Sequence, residues 1–241
     1  MKDNYIYGSR PVIEAIQSGK EIEKLLIQKG LKSELHGKLL KLVSERSIPY
    51  QFVPVQKLNR FSRKNHQGVI AYVSLISYQK IEDVLPLIFE SGKTPFVLIL
   101  DGITDVRNLG AIARTAECAG VDTILIPEKG SAQVNPDAMK TSSGALNKIP
   151  VCREKNLKRV CVYLKDSGIK LLAASEKASR SYYEVNMKDP LAMVMGSEEK
   201  GVGKEILDLS DDVLRIPMLG GIQSLNVSVA AGIMMFECLK Q

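Results

Sequence analysis

Tryptophan is absent from this 241-residue chain, which has only two histidines, four cysteines and five phenylalanines. With His36 and His66 alone to recruit, both in the first third and away from the glycine-rich segments, a Ser-His-Asp or Cys-His nucleophilic centre has little to be built from. The cysteines, Cys118, Cys152, Cys161 and Cys238, form no Cys-x-x-Cys pair and have no neighbouring histidine. That argues against a zinc site or a disulfide framework and for reduced, mostly buried thiols, so no metal is expected. The longest apolar runs, such as Phe96 to Leu100 and Leu191 to Met195, fall far short of the roughly 20 residues a membrane helix needs. The first residues lack the apolar stretch of a secretory signal. We expect a cytoplasmic protein with no membrane association.

What is present is ordinary globular composition, 45% hydrophobic and 25% charged, but the charge is unevenly placed. Residues 1–80 hold 14 Lys+Arg against 6 Asp+Glu, whereas residues 81–241 hold 19 against 21. A localised excess of eight positive charges is either a lysine-rich solvated surface or a footprint for a polyanion, nucleic acid before membrane.

Inside residues 1–75 the pattern is αβαβ. A helix opens around Arg10 to Ile16 with Pro11 in its first turn, Ile22 to Gln28 reads as a strand, and Ser33 is the candidate N-cap of a helix to Arg46. Tyr50 to Val53 and Val69 to Val73 read as strands. The segment Asn59 to Gly68 between them reads as a loop. Its Arg60, Arg63 and Lys64 suit phosphates, Phe61 and His66 suit stacking on a splayed base, and Gly68 suits close backbone approach, unless the loop is merely solvated. Residues 76–94 read as a linker with a short helix. From Phe96 onward apolar strands alternate with helical patterns, which implies a parallel sheet covered on both faces, with ligands beyond the carboxyl ends of its strands.

Three segments follow predicted strands. Asp101 to Ala116 carries Asn108 near the start of a helix over Ala111 to Cys118, with Arg114 about one turn in, where both would face the strand ends unless Arg114 makes a structural ion pair. It lacks the Gly-x-Gly-x-x-Gly of a dinucleotide site. Gly196 to Lys204 fails the phosphate-loop spacing and leaves a glycine turn with Glu198 just beyond it, open to a ligand at its backbone or simply a strand-to-helix turn. Pro217 to Ala230 leads into a final helix, apolar on most faces and expected to be buried at a subunit contact; Ser224 is its candidate N-cap, and the stretch before it offers carbonyls and apolar walls for an adenine.

Together, in this order, Asn108-x-Gly110-x-x-x-Arg114, Gly196-Ser197-Glu198-x-x-Gly201, and Ile216-Pro217-Met218 with Ser224 to Ala230 resemble the three motifs of the SpoU (TrmH-like) family of SPOUT RNA ribose 2′-O-methyltransferases. Tyr7-Gly8 before the Pro11 helix and His66-Gln67-Gly68 are similar to that family's ribosomal-protein-like RNA-binding domain. The combination is most similar to the branch that methylates a guanosine ribose in bacterial 23S rRNA. The resemblance implies an RNA-binding domain over 1–75, a linker over 76–94 and an α/β SPOUT methyltransferase domain over 95–241 with a parallel sheet and a deep trefoil knot. It further implies S-adenosylmethionine as cofactor, held at Gly196, Ile216, Met218, Ser224 and Leu225, and a homodimer. Arg114 would stabilise the developing alkoxide, with Asn108, Glu198 and Asn226 orienting it and the ribose. A tRNA ribose methyltransferase of the same family and a non-catalytic RNA-binding module are the competing readings.

Overall fold

The computed structural model describes residues 4–61 and 65–240. The chain forms two compact units that part between Ser77 and Tyr78. Among the described residues there are eleven strands and nine α-helices.

The first unit runs β1 (Tyr5–Tyr7), α1 (Ser9–Gln17), β2 (Ile22–Gln28), α2 (Glu34–Glu45), β3 (Tyr50–Val53), α3 (Val55–Phe61) and β4 (Val69–Val73). The strands form a mixed sheet in the order β1-β4-β2-β3, with β4 antiparallel to both neighbours and β3 parallel to β2. Alternation in β2 divides the interior. Leu25 and Ile27 pack with Val12 and Ile16 of α1 and Leu39 and Val43 of α2, while Leu26 turns to a smaller cluster with Val53, Leu58 and Ile70. Ser33 caps α2 as its position suggests, its hydroxyl accepting the His36 N–H at 3.1 Å.

One expectation needs correcting here. Asn59, Arg60 and Phe61 do not begin a loop but end α3, because the i, i+3 spacing from Val55 to Leu58 seats that helix on the Leu26–Ile70 cluster.

In the second unit come α4 (Ile81–Glu90), β5 (Phe96–Asp101), α5 (Val106–Cys118), β6 (Thr123–Pro127), α6 (Pro136–Thr141), β7 (Val151–Glu154), α7 (Leu157–Asp166), β8 (Lys170–Ala174), β9 (Arg180–Ser181), β10 (Leu191–Gly196), α8 (Lys204–Leu207), β11 (Asp212–Arg215) and α9 (Val227–Lys240). Its seven strands are all parallel, in the order β7-β6-β5-β10-β8-β11-β9. The central strands β5 and β10 are buried along nearly their whole length, which is why they read as unbroken apolar runs. The order of strand addition reverses at the β5–β10 pair, since β6 and β7 extend the sheet on one side of it and β8, β9 and β11 on the other, the position at which open parallel sheets leave a crevice beyond their carboxyl ends.

Residues 76–94, expected as a linker, contribute α4 to this core. Ile81, Val84, Leu85 and Ile88 pack against Val97 and Ile99, and the buried Glu154 accepts the Ile81 N–H at 3.1 Å and pairs with Lys80 at 3.3 Å. The final helix also departs from expectation. Ala231, Met234 and Met235 are buried, but Val229, Phe236 and Leu239 face solvent, because in one chain α9 has a neighbour, chiefly α5, on one side only. Among the described residues no helix is long and apolar enough to cross a membrane.

Candidate functional site

The three sequence segments meet beyond the carboxyl ends of β5, β10 and β11. Asp105 starts α5 by accepting the N–H groups of Asn108 at 3.0 Å and Arg107 at 2.7 Å, bonds that hold its carboxyl below the ordinary carboxylate value. This cap fixes Asn108 in the first turn, where its Nδ2 donates to Glu198 Oε1 at 3.1 Å. Asn226 bridges the pair, Nδ2 donating to Glu198 Oε1 at 2.8 Å and to Asn108 Oδ1 at 3.1 Å. The Val227 N–H adds a longer bond to the same carboxylate oxygen at 3.4 Å. Glu198 therefore has one oxygen surrounded by three N–H donors.

Asn226 rather than Ser224 caps α9: its Oδ1 accepts both the N–H of Ser228 at 3.0 Å and the Ser228 hydroxyl. Ser224 is left to the wall of a cavity of about 500 Å³. Gly196, Ile216, Met218 and Leu225 line that cavity too, as do Glu198 and Asn226, so the five residues expected around a cofactor share one cavity with two of the polar cluster. The cavity also takes in Ala174 to Lys177 at the end of β8, which no motif flagged. Their position after a parallel strand next to β10 was the available signal.

Gly196 has a different reason for being glycine than ligand approach. A Cβ there would lie 2.1 Å from the Gly201 carbonyl carbon and the Val202 nitrogen, so the chain's own turn crosses over it. That turn is closed by the Gly201 N–H on the Ser197 carbonyl at 2.8 Å and tied to β5 by the Gly203 N–H on Asp101 at 2.8 Å. Gly110 likewise serves packing: a Cβ would meet the Ala138 carbonyl oxygen of α6 at 2.7 Å.

Arg114 is not brought to the cluster. Because α5 begins at Val106, five residues before the expected start, Arg114 lies six residues beyond Asn108 and on a different side of the helix. It is exposed, does not line the cavity, and makes no hydrogen bond or ion pair with any described residue, so the structural ion pair is absent.

The residues expected to touch RNA fare unevenly. Arg60 is exposed, and Phe61 is half-exposed with its ring edge-on to Tyr72 at 6.0 Å. Arg63 and Lys64 lie outside the described residues. His66 is corrected: it is buried, its Nδ1 accepting the Gly68 N–H at 3.0 Å and its Nε2 donating to Asn59 Oδ1 at 2.8 Å, so it ties α3 to β4 and has no ring face to offer. Gly68, at φ +77°, would meet Leu31 and Gln28 with a Cβ, so it too serves its own fold.

Comparison with known proteins finds a match for each unit of the chain. Residues 95–236 match a family described as the SpoU rRNA methylase family, and residues 5–79 match one described as RNA 2′-O ribose methyltransferase substrate binding. A Staphylococcus saprophyticus protein whose name places it in the TrmH family of tRNA/rRNA methyltransferases is 38% identical over 100% of this chain and 97% of its own; its Bacillus subtilis counterpart is 34% identical over 99% and 96%. Among solved structures, an RNA 2′-O ribose methyltransferase is 26% identical over 98% of this chain and 88% of its own, with a TM-score of 0.58. The A. aeolicus TrmH/SpoU tRNA modifying enzyme is 29% identical over 67% of this chain and 83% of its own, with a TM-score of 0.57.

Proposed function

We propose, for a chain that belongs to the SpoU rRNA methylase family and is an RNA ribose 2′-O-methyltransferase, that the ribose it methylates is that of a guanosine in 23S rRNA. The observation that carries the methyl-transfer part of the reading is the bonded trio Asn108, Glu198 and Asn226, of which Glu198 and Asn226 line one cavity. The cavity has the size of a nucleoside site and mixes apolar walls from Ile216, Met218 and Leu225 with backbone at strand ends, a lining that fits the adenine and methionine parts of S-adenosylmethionine. Gly196, Ile216, Met218, Ser224 and Leu225 would hold that cofactor, which when bound supplies a methyl group activated by its sulfonium.

The chain's own residues supply orientation and charge. A ribose hydroxyl is a weak nucleophile, so the site must favour its oxyanion. Asn108, Asn226 and the Val227 N–H pin Glu198, and this rigid group orients the ribose. Arg114, a guanidinium that stays protonated, holds the neighbouring phosphate and stabilises the developing alkoxide by charge, while the hydroxyl proton leaves to solvent water as the methyl group transfers. Within one chain Arg114 stands apart from the trio, and α9 beside α5 exposes Val229, Phe236 and Leu239. Both features support a homodimer in which Arg114 meets the RNA at the subunit boundary. The trefoil knot belongs to the same proposal, as does an RNA-binding role for Arg60, Phe61, Arg63 and Lys64.

Preference for rRNA over tRNA rests on the basic first unit, for which the tRNA-modifying enzyme's match over 67% of the chain leaves room. Ribose-methylation mapping of total RNA from cells with and without the gene tests it. The expected result is loss of one 2′-O-methylguanosine in 23S rRNA; loss from a tRNA instead would replace this reading with the tRNA one.

A further inference from the structure

We propose that Tyr50 and Phe52, side by side on the edge strand β3, form the platform on which the first unit stacks unpaired bases of its RNA; the inference rests on the RNA-substrate reading above and adds the contact surface. The sheet order leaves β3 with a neighbour on one side only, β2. Its register aligns Tyr50 with Leu25 and Phe52 with Ile27, so both rings stand on the face covered by α1 and α2. Leu25 and Ile27 are fully buried there, yet Tyr50 is 49% and Phe52 42% exposed, because helix cover stops short of the edge. The two rings meet edge to face, 5.5 Å between centroids at 86°, and neither contacts any other described aromatic ring.

Phe61, the aromatic that sequence alone favours, is placed differently. It stands on the opposite face, edge-on to Tyr72, which is edge-on to Tyr5, whose hydroxyl donates to the Phe61 carbonyl at 3.0 Å. Tyr5 and Tyr72 pack over Leu26, Leu58 and Ile70, and Phe61 leans its ring on Tyr72. Tyr50 and Phe52 have only each other as ring partners among the described residues.

Charge selects the occupant. From Arg46 to Ser77 the chain has five Lys+Arg and no Asp or Glu. An edge strand that avoids other strands is normally guarded by charge or proline within it, whereas Tyr50-Gln51-Phe52 is uncharged and exposed. Exposed π-faces within a purely cationic stretch fit single-stranded RNA, whose bases stack on aromatics while its phosphates meet the lysines and arginines.

The test uses the full chain, a short single-stranded RNA of mixed sequence, and the same RNA annealed to its complement. Tyr50→Ala with Phe52→Ala should weaken single-strand binding by between about fivefold and about a hundredfold while leaving the slope of affinity against salt and the duplex affinity unchanged. The aromatic swap Tyr50→Phe with Phe52→Tyr should restore binding. Because the chain has no tryptophan, Phe52→Trp adds a single reporter whose fluorescence the single strand should quench and the duplex should not; this keeps the proposal open to refutation even if the double alanine variant misfolds. Unaltered single-strand affinity, equal loss on duplex, an unquenched tryptophan, or a change of oligomeric state in the double variant would each overturn it. Methyl transfer by the unmodified protein is measured in parallel: its absence alongside intact quenching would remove the enzymatic reading and leave the platform standing.

Discussion

The two units put their distinctive residues to opposite uses. In the second, Asn108, Glu198 and Asn226, separated by as many as 118 positions, come within hydrogen-bond distance of one another at strand ends. In the first, His66 and Gly68, two positions apart, turn inward to hold the local fold. Polar residues just after parallel strands have their destination fixed by topology, since every such strand ends at the same edge of the sheet. A polar cluster between a helix and a strand has no such constraint, and nearby backbone groups compete for it.

The contrast is sharpened most by Arg114, because it is the one motif residue the second unit does not gather. If it acts on the RNA by charge, Arg114→Ala should lower turnover by about 10²- to 10³-fold with cofactor affinity unchanged by calorimetry. Arg114→Lys should recover little, since a point charge does not replace a planar fork. Near-normal turnover in the alanine variant would leave Asn108, Glu198 and Asn226 as the whole polar site.

Glycines give a second comparison, one from each unit. Gly196→Ala must displace the turn that carries Glu198, and overpacking of this kind costs about 1–3 kcal/mol, so thermal stability and cofactor affinity should fall together. Gly68→Ala has softer neighbours, the side chains of Leu31 and Gln28, but a left-handed backbone, for which a side chain costs about 1–2 kcal/mol. It should lower stability while cofactor affinity stays as it was. Loss of cofactor binding at unchanged stability in Gly196→Ala would return that glycine to direct ligand contact.

Much of the architecture was legible in the amino-acid order. Ile22–Gln28 and Lys170–Ala174 are strands with the expected bounds, and the runs around Phe96 and Leu191 are the buried centre of a parallel sheet. The misses have physical causes. Helix α5 starts early because Asp105 caps it, ahead of the apolar run from Ala111, and with both residues inside the helix their six-residue spacing puts Arg114 on a different side from Asn108. The first turns of α3 are hidden by Pro54 and a mixed polar surface, with Leu58 its one buried residue. Nothing in residue type separates a histidine that stacks from one that ties two elements, since both roles use a planar ring; only the partners at 2.8 and 3.0 Å decide.

His66→Phe turns that last distinction into an experiment. A stacking residue tolerates the change, because phenylalanine offers a larger π-face. A tie does not, because the buried Gly68 N–H loses its acceptor, at about 1–3 kcal/mol for an unsatisfied group. We expect a lower melting temperature in differential scanning calorimetry. An unchanged melting temperature with RNA binding retained would restore His66 to the RNA surface.

The smallest effect separates the units by titration. All four cysteines lie in the second unit, and burial pushes the thiols of Cys152 and Cys161 up to about 11 from an ordinary 9.0, while Cys118 is exposed. A raised value in the folded state means that below about pH 9 folded and unfolded chains both keep these protons, and the full contribution to stability is present. As pH rises from 9 towards 11 the unfolded chain releases protons that the folded chain still holds, so stability drains away across that window. Urea unfolding midpoints should therefore fall over pH 9 to 11, and Cys161→Ala should flatten the fall while lowering the midpoint at neutral pH through lost packing. A thiol reagent should consume Cys118 first in the folded chain, and Cys118→Ser should remove that early phase. Early reaction at Cys152 or Cys161 would mean that the second unit opens locally under native conditions, and the contrast between a fixed catalytic unit and a self-packed RNA-binding unit would lose its footing.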